Sequence, residues 1–480
     1  MIPGSARLAV ETRHGVVRGA AAEDGVTAFL GIPYAAPPAG PLRFEPPRPP
    51  RPWSGVRDCT TYGPTAPQPP VEGPVARLLP HVSIPGEDYL NLNVWTASPS
   101  GSRPVMVFIH GGSFTGGSGA IPTYDGAAFA RHGVVLVTVN YRLGADGFLW
   151  LGEGVPNLGL LDQIAALAWV RDNIGSFGGD PGNVTVFGES AGGMSVCTLL
   201  AMPAAAGLFR RAIAQSGAAR CVLTPDTAAW AGRRLAELLG VASTRAAIGL
   251  VPRPQLMAAQ GQLALEVTGE SAEWGDDLAR NIMPFEPVVD GELLPAVPEQ
   301  AIRDGAGADV DLLVGTNADE GNLFFVPTGV VAGAGEEALA AFLRARRYPP
   351  DAADALRAAR PDSSAGQLIS DVMTDRFYRA PARELALAHP RAYVYEFAWA
   401  SPAFEGAMGA CHALELPFVF DTLADPGCAA LLGPEPPQRL ADAMHRAWIG
   451  FATNGDPGWS RYDEPARTVM RFDDTDRSPA

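Results

Sequence analysis

The chain has 480 residues; its 36 basic residues are all Arg, set against 52 acidic ones for a formal net charge of −16. The absence of Lys excludes chemistry built on that residue: pyridoxal-phosphate Schiff bases, imine aldolases, and the P-loop and kinase-type ATP lysines. The acidic balance argues against a nucleic-acid partner, whose phosphates need clustered positive charge, and 47% hydrophobic with 18% charged residues describes a folded globular chain.

Met1–Val10 lacks a basic stretch followed by an apolar one, and no segment approaches ~18 uninterrupted apolar residues. The expectation is a protein with no secretory leader and no membrane span. Cys59, Cys197, Cys221, Cys411 and Cys428 are odd in number, far apart and free of any CxxC pair. That pattern predicts neither a disulfide framework nor a zinc site, with a reducing cytoplasm as the default compartment.

Short apolar runs bounded by turn residues recur at Val105–Ile109, Val134–Val139, Val184–Phe187, Val310–Val314 and Ala392–Phe397. Their length and β-branched content predict buried strands. Between the second and third, Leu160, Leu161, Ile164, Leu167, Ala168 and Ile174 recur at helical spacing within Leu160–Phe177. Strands alternating with helices predict an α/β fold, a mostly parallel sheet covered on both faces. Thr227–Leu265 and Glu336–Ala359 read as Ala-rich helical excursions from that sheet, and the tail from Pro457 as turns and charges.

Gly188-Glu189-Ser190-Ala191-Gly192-Gly193 is a G-x-S-x-G pattern that follows the run Val184–Phe187 and precedes a helical pattern over Met194–Met202. A serine on a tight strand-to-helix turn is held in a strained, exposed position, with the positive end of the helix behind it. Such a serine is a candidate nucleophile. Directly after Val105–Ile109 comes His110-Gly111-Gly112-Ser113-Phe114-Thr115-Gly116-Gly117, a glycine-rich loop able to present backbone N–H groups to an oxyanion. A phosphate loop is the competing reading, but neither G-K-[ST] nor GxGxxG is present.

A serine nucleophile needs a base, and in folds with this turn the acid and base follow the serine in chain order. His389, His412 and His445 therefore qualify. His389 precedes Pro390 and His445 lies in the helical run Arg439–Phe451, so both read as structural. His412, in Gly409-Ala410-Cys411-His412-Ala413-Leu414-Glu415, is the better candidate. A metal site using His412 and Glu415 lacks a second His or a Cys pair. At the end of the strand Val310–Val314 stand Asp319 and Glu320; local reasoning leaves both open as the acid.

With these motifs the sequence resembles the type-B carboxylesterases, the α/β-hydrolase family that includes bacterial para-nitrobenzyl esterases and animal cholinesterases. The resemblance runs through Phe29-Leu30-Gly31-Ile32-Pro33-Tyr34-Ala35, Glu87-Asp88-Tyr89-Leu90-Asn91-Leu92-Asn93, Asn140-Tyr141-Arg142-Leu143-Gly144, Phe177-Gly178-Gly179-Asp180-Pro181 and Glu415-Leu416-Pro417-Phe418. It implies a single α/β-hydrolase domain over 1–480, with helical excursions at roughly 219–283 and 326–376. It also implies Glu320 as the acid, from the family's D-E-G motif, and His412 as the base. Oxyanion donors fall on Gly112, Ser113 and Ala191, with Gly111 supporting the loop. Glu189, Ser216 and Glu415 become a buried shell around the histidine. Arg43 with Glu87, and Arg142 with Asp162, match the family's structural ion pairs.

The resemblance thus implies a serine carboxylesterase needing no cofactor or metal, hydrolysing neutral short- to medium-chain alkyl or aryl carboxylic esters through an acyl-enzyme. Carbamate or amide hydrolysis, and a non-catalytic binding protein of the same fold, are the rivals. The segment Pro69–Gly86 contains no Trp, Tyr or Phe, which disfavours choline esters. Phe114, Met283, Phe285 and Phe324 are expected to line the substrate pocket. Neither nucleic acid nor membrane is expected as a partner, and a monomer and a small homo-oligomer fit the sequence equally.

Overall fold

In the structure, a computed structural model that describes residues 8–70, 72–271, 273–463 and 465–474, the strands build one sheet. The ends of the span 1–480 lie outside the described residues. In chain order the strands are β1 (Ala9–Thr12), β2 (Gly15–Ala21), β3 (Thr27–Pro33), β4 (Val56–Cys59), β5 (Asn91–Thr96) and β6 (Arg103–Ile109). There follow β7 (Val135–Val139), β8 (Gly179–Glu189), β9 (Arg211–Gln215), β10 (Asp311–Asn317), β11 (Ala392–Phe397) and β12 (Val469–Phe472). They lie side by side as β1-β2-β3-β5-β7-β6-β8-β9-β10-β11-β12, with β4 paired to β2.

From β7 to β12 every pairing is parallel, while β1, β2, β3 and β5 add an antiparallel flank. Parallel strands are covered on both faces and so read as unbroken apolar runs. The five runs seen in the sequence are β6, β7, β8, β10 and β11. The tail corrects the sequence reading: Val469–Phe472 is a strand, paired in parallel with β11. As a short edge strand carrying Arg471, it lacks the apolar run of its buried neighbours.

The helix Ala191–Ala201 leaves β8 and is buried at every residue, packing on β8 and β9. A helix apolar all round has no solvent face, so it belongs inside. The Ala-rich stretches are helical but broken: Pro225–Leu239, Arg245–Gly249 and Arg253–Glu266 between β9 and β10, then Glu336–Ala345 and Ala352–Ala359 between β10 and β11. Pro252 and Pro349–Pro350 stand at two of the breaks.

Arg142 and Asp162 form a fully buried bidentate pair, with Nε–Oδ2 and Nη2–Oδ1 both at 2.8 Å. The other expected pair is corrected. Arg43 Nε donates to Asp146 Oδ1 at 2.8 Å, and Glu87 is exposed. Arg142 Nη1 donates to the carbonyls of Arg43 and Glu45, which holds the Arg43 segment beside the short helix Gly144–Phe148 that carries Asp146.

Candidate active site

Ser190 stands between β8 and the helix Ala191–Ala201 with φ 56° and ψ −124°, a conformation few non-glycine residues adopt. Its N–H donates to the Gln215 carbonyl on β9 at 2.9 Å. The turn is possible only because its glycines leave space. A Cβ on Gly192 would sit 1.9 Å from the Ile109 carbonyl oxygen, and one on Gly188 would sit 2.5 Å from the Gly192 carbonyl carbon. Ala191 opens the helix, so its N–H is among those with no partner within the helix.

The loop after β6 lies alongside. Gly111, Gly112 and Ser113 line the same cavity as Ser190. Ser113 and Phe114 both have positive φ, at 53° and 59°, so two consecutive non-glycine residues store strain. Gln68 clamps the loop from outside: its Nε2 donates to the Gly117 carbonyl at 3.1 Å, and its Oε1 accepts the Gly117 N–H at 2.8 Å.

The loop after β10 carries Asp319 and Glu320, and the two separate cleanly. Asp319 Oδ2 accepts the Ala410 N–H at 2.9 Å, bracing the loop that carries His412. Glu320 is fully buried; its Oε1 accepts the Asn317 N–H at 2.7 Å and its Oε2 lies 2.6 Å from His412 Nδ1. On the other side of the imidazole, Nε2 lies 3.0 Å from Glu189 Oε1, an approach without hydrogen-bond alignment. Burial lowers the affinity of His412 for its proton, but the carboxylates of Glu189 and Glu320 outweigh it and push the imidazole up to about 9. Burial, reinforced by Glu415 and Glu320, pushes Glu189 up to about 8.

Behind the histidine, Glu415 accepts from Gln215 Nε2 at 3.1 Å and Asn317 Nδ2 at 2.7 Å. Ser216 is buried nearby with φ 46°, and among the described residues its hydroxyl finds no partner, Glu415 included. His389 bonds the Gly307 carbonyl and His445 the Val419 carbonyl, so neither belongs to this cluster.

The cavity above Ser190 measures about 650 Å³ and is mostly apolar. Met283 and Phe324 line it as expected. Phe114 and Phe285 do not, which corrects the sequence reading. Phe114 follows the left-handed turn into the core and packs edge-to-face on Phe148 at 4.9 Å, and Phe285 is 1% exposed within the core.

Sequence reasoning missed Tyr378, whose ring lies 4.9 Å from the His412 ring, with that of Phe324 at 5.4 Å. Tyr378 sits on a π-helical turn, Thr374–Arg379, tied at both ends to the loop that carries Asp319 and Glu320. Thr374 Oγ1 accepts the Gly321 N–H at 3.0 Å, and Arg379 Nη2 donates to the Ala318 carbonyl. Gln68 and Asn317 were missed too. Their partners lie 49 and 98 residues away, so no local pattern marks them.

A mostly parallel sheet with a serine turn at the end of one strand, facing a glycine-rich loop at the end of the next, defines an α/β-hydrolase fold. The family model "Carboxylesterase family" matches residues 6–478. The para-nitrobenzyl esterase of Bacillus subtilis is 41% identical over 97% of this chain and 94% of that protein. A phenmedipham hydrolase of Pseudarthrobacter oxydans is 37% identical over 94% and 93%. Among solved structures, the Geobacillus stearothermophilus carboxylesterase superposes with a TM-score of 0.84 at 39% identity, covering 97% of this chain and 96% of that one. The chain belongs to the carboxylesterase family and is a carboxylic ester hydrolase.

Proposed function

We propose that hydrolysis runs through an acyl-enzyme on Ser190. His412 takes the Ser190 proton as the hydroxyl attacks the ester carbonyl, and Glu320 holds the imidazole tautomer and its cation. The N–H groups of Gly112, Ser113 and Ala191 receive the oxyanion, each contributing on the order of 10²–10³ in rate. His412 then protonates the leaving alcohol and activates water for deacylation. The observation that carries this reading is the 2.6 Å contact between Glu320 and His412, beside a serine held at φ 56° in the same cavity.

The mostly apolar wall, with no Arg among the described residues that line it, favours neutral acyl and alcohol groups of modest size. The five cysteines are free and buried, which supports a reducing compartment such as the cytoplasm. Converting Ser190 to Ala should abolish hydrolysis of p-nitrophenyl acetate while the protein still folds. Full retention of activity would overturn the assignment. A panel of p-nitrophenyl esters of increasing chain length, with an anilide and a carbamate, defines the acyl preference.

A further inference from the structure

The helix Asp276–Asn281 ends on a turn that faces the cavity: Asn281, Ile282 and Met283 all line it. Ile282 has φ 54°, a left-handed conformation that a β-branched residue adopts only when its surroundings impose it. Its N–H bonds back to the Leu278 carbonyl at 2.9 Å. Asn281 is 8% exposed, and its amide is oriented from behind. Nδ2 donates to Glu286 Oε1 at 2.8 Å and approaches the Val222 carbonyl at 3.5 Å.

The Val222 carbonyl can only accept, so the NH₂ end faces it and Glu286 Oε1, and the carbonyl end is turned away from both. Glu286 is fully buried with no cation beside it, and burial raises its carboxyl well above the ordinary range. The remaining Asn281 atom, Oδ1, accepts no hydrogen bond from any described residue and is not among the fully buried unpartnered atoms. Asn281 thus brings an unpaired acceptor to a cavity whose lining is mostly apolar. By contrast, the hydroxyl of Thr123 on the same wall is engaged with Asp425 Oδ2 at 2.8 Å.

We propose that Asn281 is a specificity-determining residue whose Oδ1 accepts a hydrogen bond from a substrate N–H or O–H. The preferred esters then carry a secondary amide or a hydroxyl within reach of the scissile bond. A substrate lacking the donor strips water from Oδ1 and returns nothing, so the site discriminates against it. Glu286 is the positioning residue that keeps the carbonyl end outward. This inference rests on the reading that ester hydrolysis occurs in this cavity at Ser190.

The test uses matched pairs in which CH₂ replaces N–H. Ethyl N-acetylglycinate against ethyl levulinate probes the acyl side. The acetate of N-acetylethanolamine against the acetate of the corresponding ketone alcohol probes the other. In at least one pair the wild-type kcat/KM ratio should favour the donor by about tenfold, roughly the worth of one hydrogen bond. Asn281→Leu should bring that ratio near unity, and Glu286→Gln, which still accepts from Nδ2, should retain it. A wild-type ratio of one in both pairs overturns the proposal, as does an unchanged ratio in Asn281→Leu. If Asn281→Leu does not fold, Asn281→Ala and the wild-type ratios decide. Failure of the underlying site reading shows up separately, as p-nitrophenyl acetate hydrolysis that survives Ser190→Ala.

Discussion

His412 is held between two carboxylates: Glu320 Oε2 lies 2.6 Å from Nδ1, and Glu189 Oε1 lies 3.0 Å from Nε2. Both favour the imidazolium, and a histidine must shed that proton before it can act as a base. Glu189 differs from Glu320 in lying at the Nε2 edge of the ring, the edge that serves Ser190 in the proposed mechanism. Its charge therefore sets the pH at which the base becomes available.

The expected consequence is a pH-rate profile that climbs with pH as His412 deprotonates, and shifts in Glu189→Gln. Removing a negative charge next to Nε2 weakens proton binding, so the ascending limb should move to lower pH by about one unit or more. The measurement is kcat/KM for a neutral ester across the pH range in both proteins. A limb that stays in place would show that Glu189 does not control the base.

Asp319 and Glu320 are adjacent in sequence but face different partners. Glu320→Gln should lower kcat by about three to four orders of magnitude, because the amide no longer enforces the tautomer. Asp319→Asn keeps an oxygen that can accept the Ala410 N–H and loses only the acceptor's charge, an effect of about 1 kcal/mol or less in stability with a small change in rate. Steady-state kinetics and urea unfolding of both variants check this. The reverse ranking would reassign the acid.

Gln68 holds Gly117 by both its N–H and its carbonyl, on a loop with two consecutive left-handed residues. Strain of this kind persists only where the surroundings over-determine it. Gln68→Ala should relax the loop and misplace the Gly112 and Ser113 amides, lowering kcat by about ten- to a hundredfold. The ascending limb of the pH profile should not move, since the base is untouched. Affinity for a trifluoromethyl ketone, which mimics the oxyanion, should fall in parallel.

What was legible in the sequence was whatever sits on a regular element or in a contiguous motif. The strands β6, β7, β8, β10 and β11 announced themselves because burial on both faces demands unbroken apolar runs. The turn at Ser190 was legible because Gly188 and Gly192 meet backbone too closely to carry any side chain. The short edge strand β12 was not, since four residues including Arg471 carry no distinctive period. Nor was the Arg43 pairing with Asp146, which depends on how the chain folds over Arg142. Phe114 shows the same limit in miniature. It lies in the glycine-rich loop beside the cavity, yet its left-handed backbone sends the ring into the core.

Arg142 and Asp162 have no exposed side-chain surface, and the carboxylate also accepts the Arg142 N–H at 3.0 Å. Asp162→Asn leaves a guanidinium buried without its counter-charge. The expected cost is about 3–5 kcal/mol of stability, read as a lower urea midpoint. Replacing both residues with apolar ones of similar size should cost less than the single change, because no charge is stranded. A single variant as stable as wild type would show that the pair contributes nothing.

His110 precedes the glycine-rich loop, stacks on Tyr141 with ring centres 4.6 Å apart, and has its Nδ1 2.8 Å from the Gly111 carbonyl. Burial depresses it to about 4, with the Gly111 carbonyl opposing only in part, and among the described residues Nε2 has no hydrogen-bond partner. The folded state therefore binds fewer protons here than the unfolded chain, whose histidine titrates near 6.5. The stability from keeping His110 neutral is fully present above about pH 6.5 and is lost progressively as the pH falls toward 4. Melting temperatures recorded from pH 7.5 down to 4.5 should fall for the wild type and fall less steeply for His110→Gln. Parallel curves would remove His110 from the acid response. The loop proposed to hold the oxyanion begins at the next residue, so activity at low pH should fail before the global fold does.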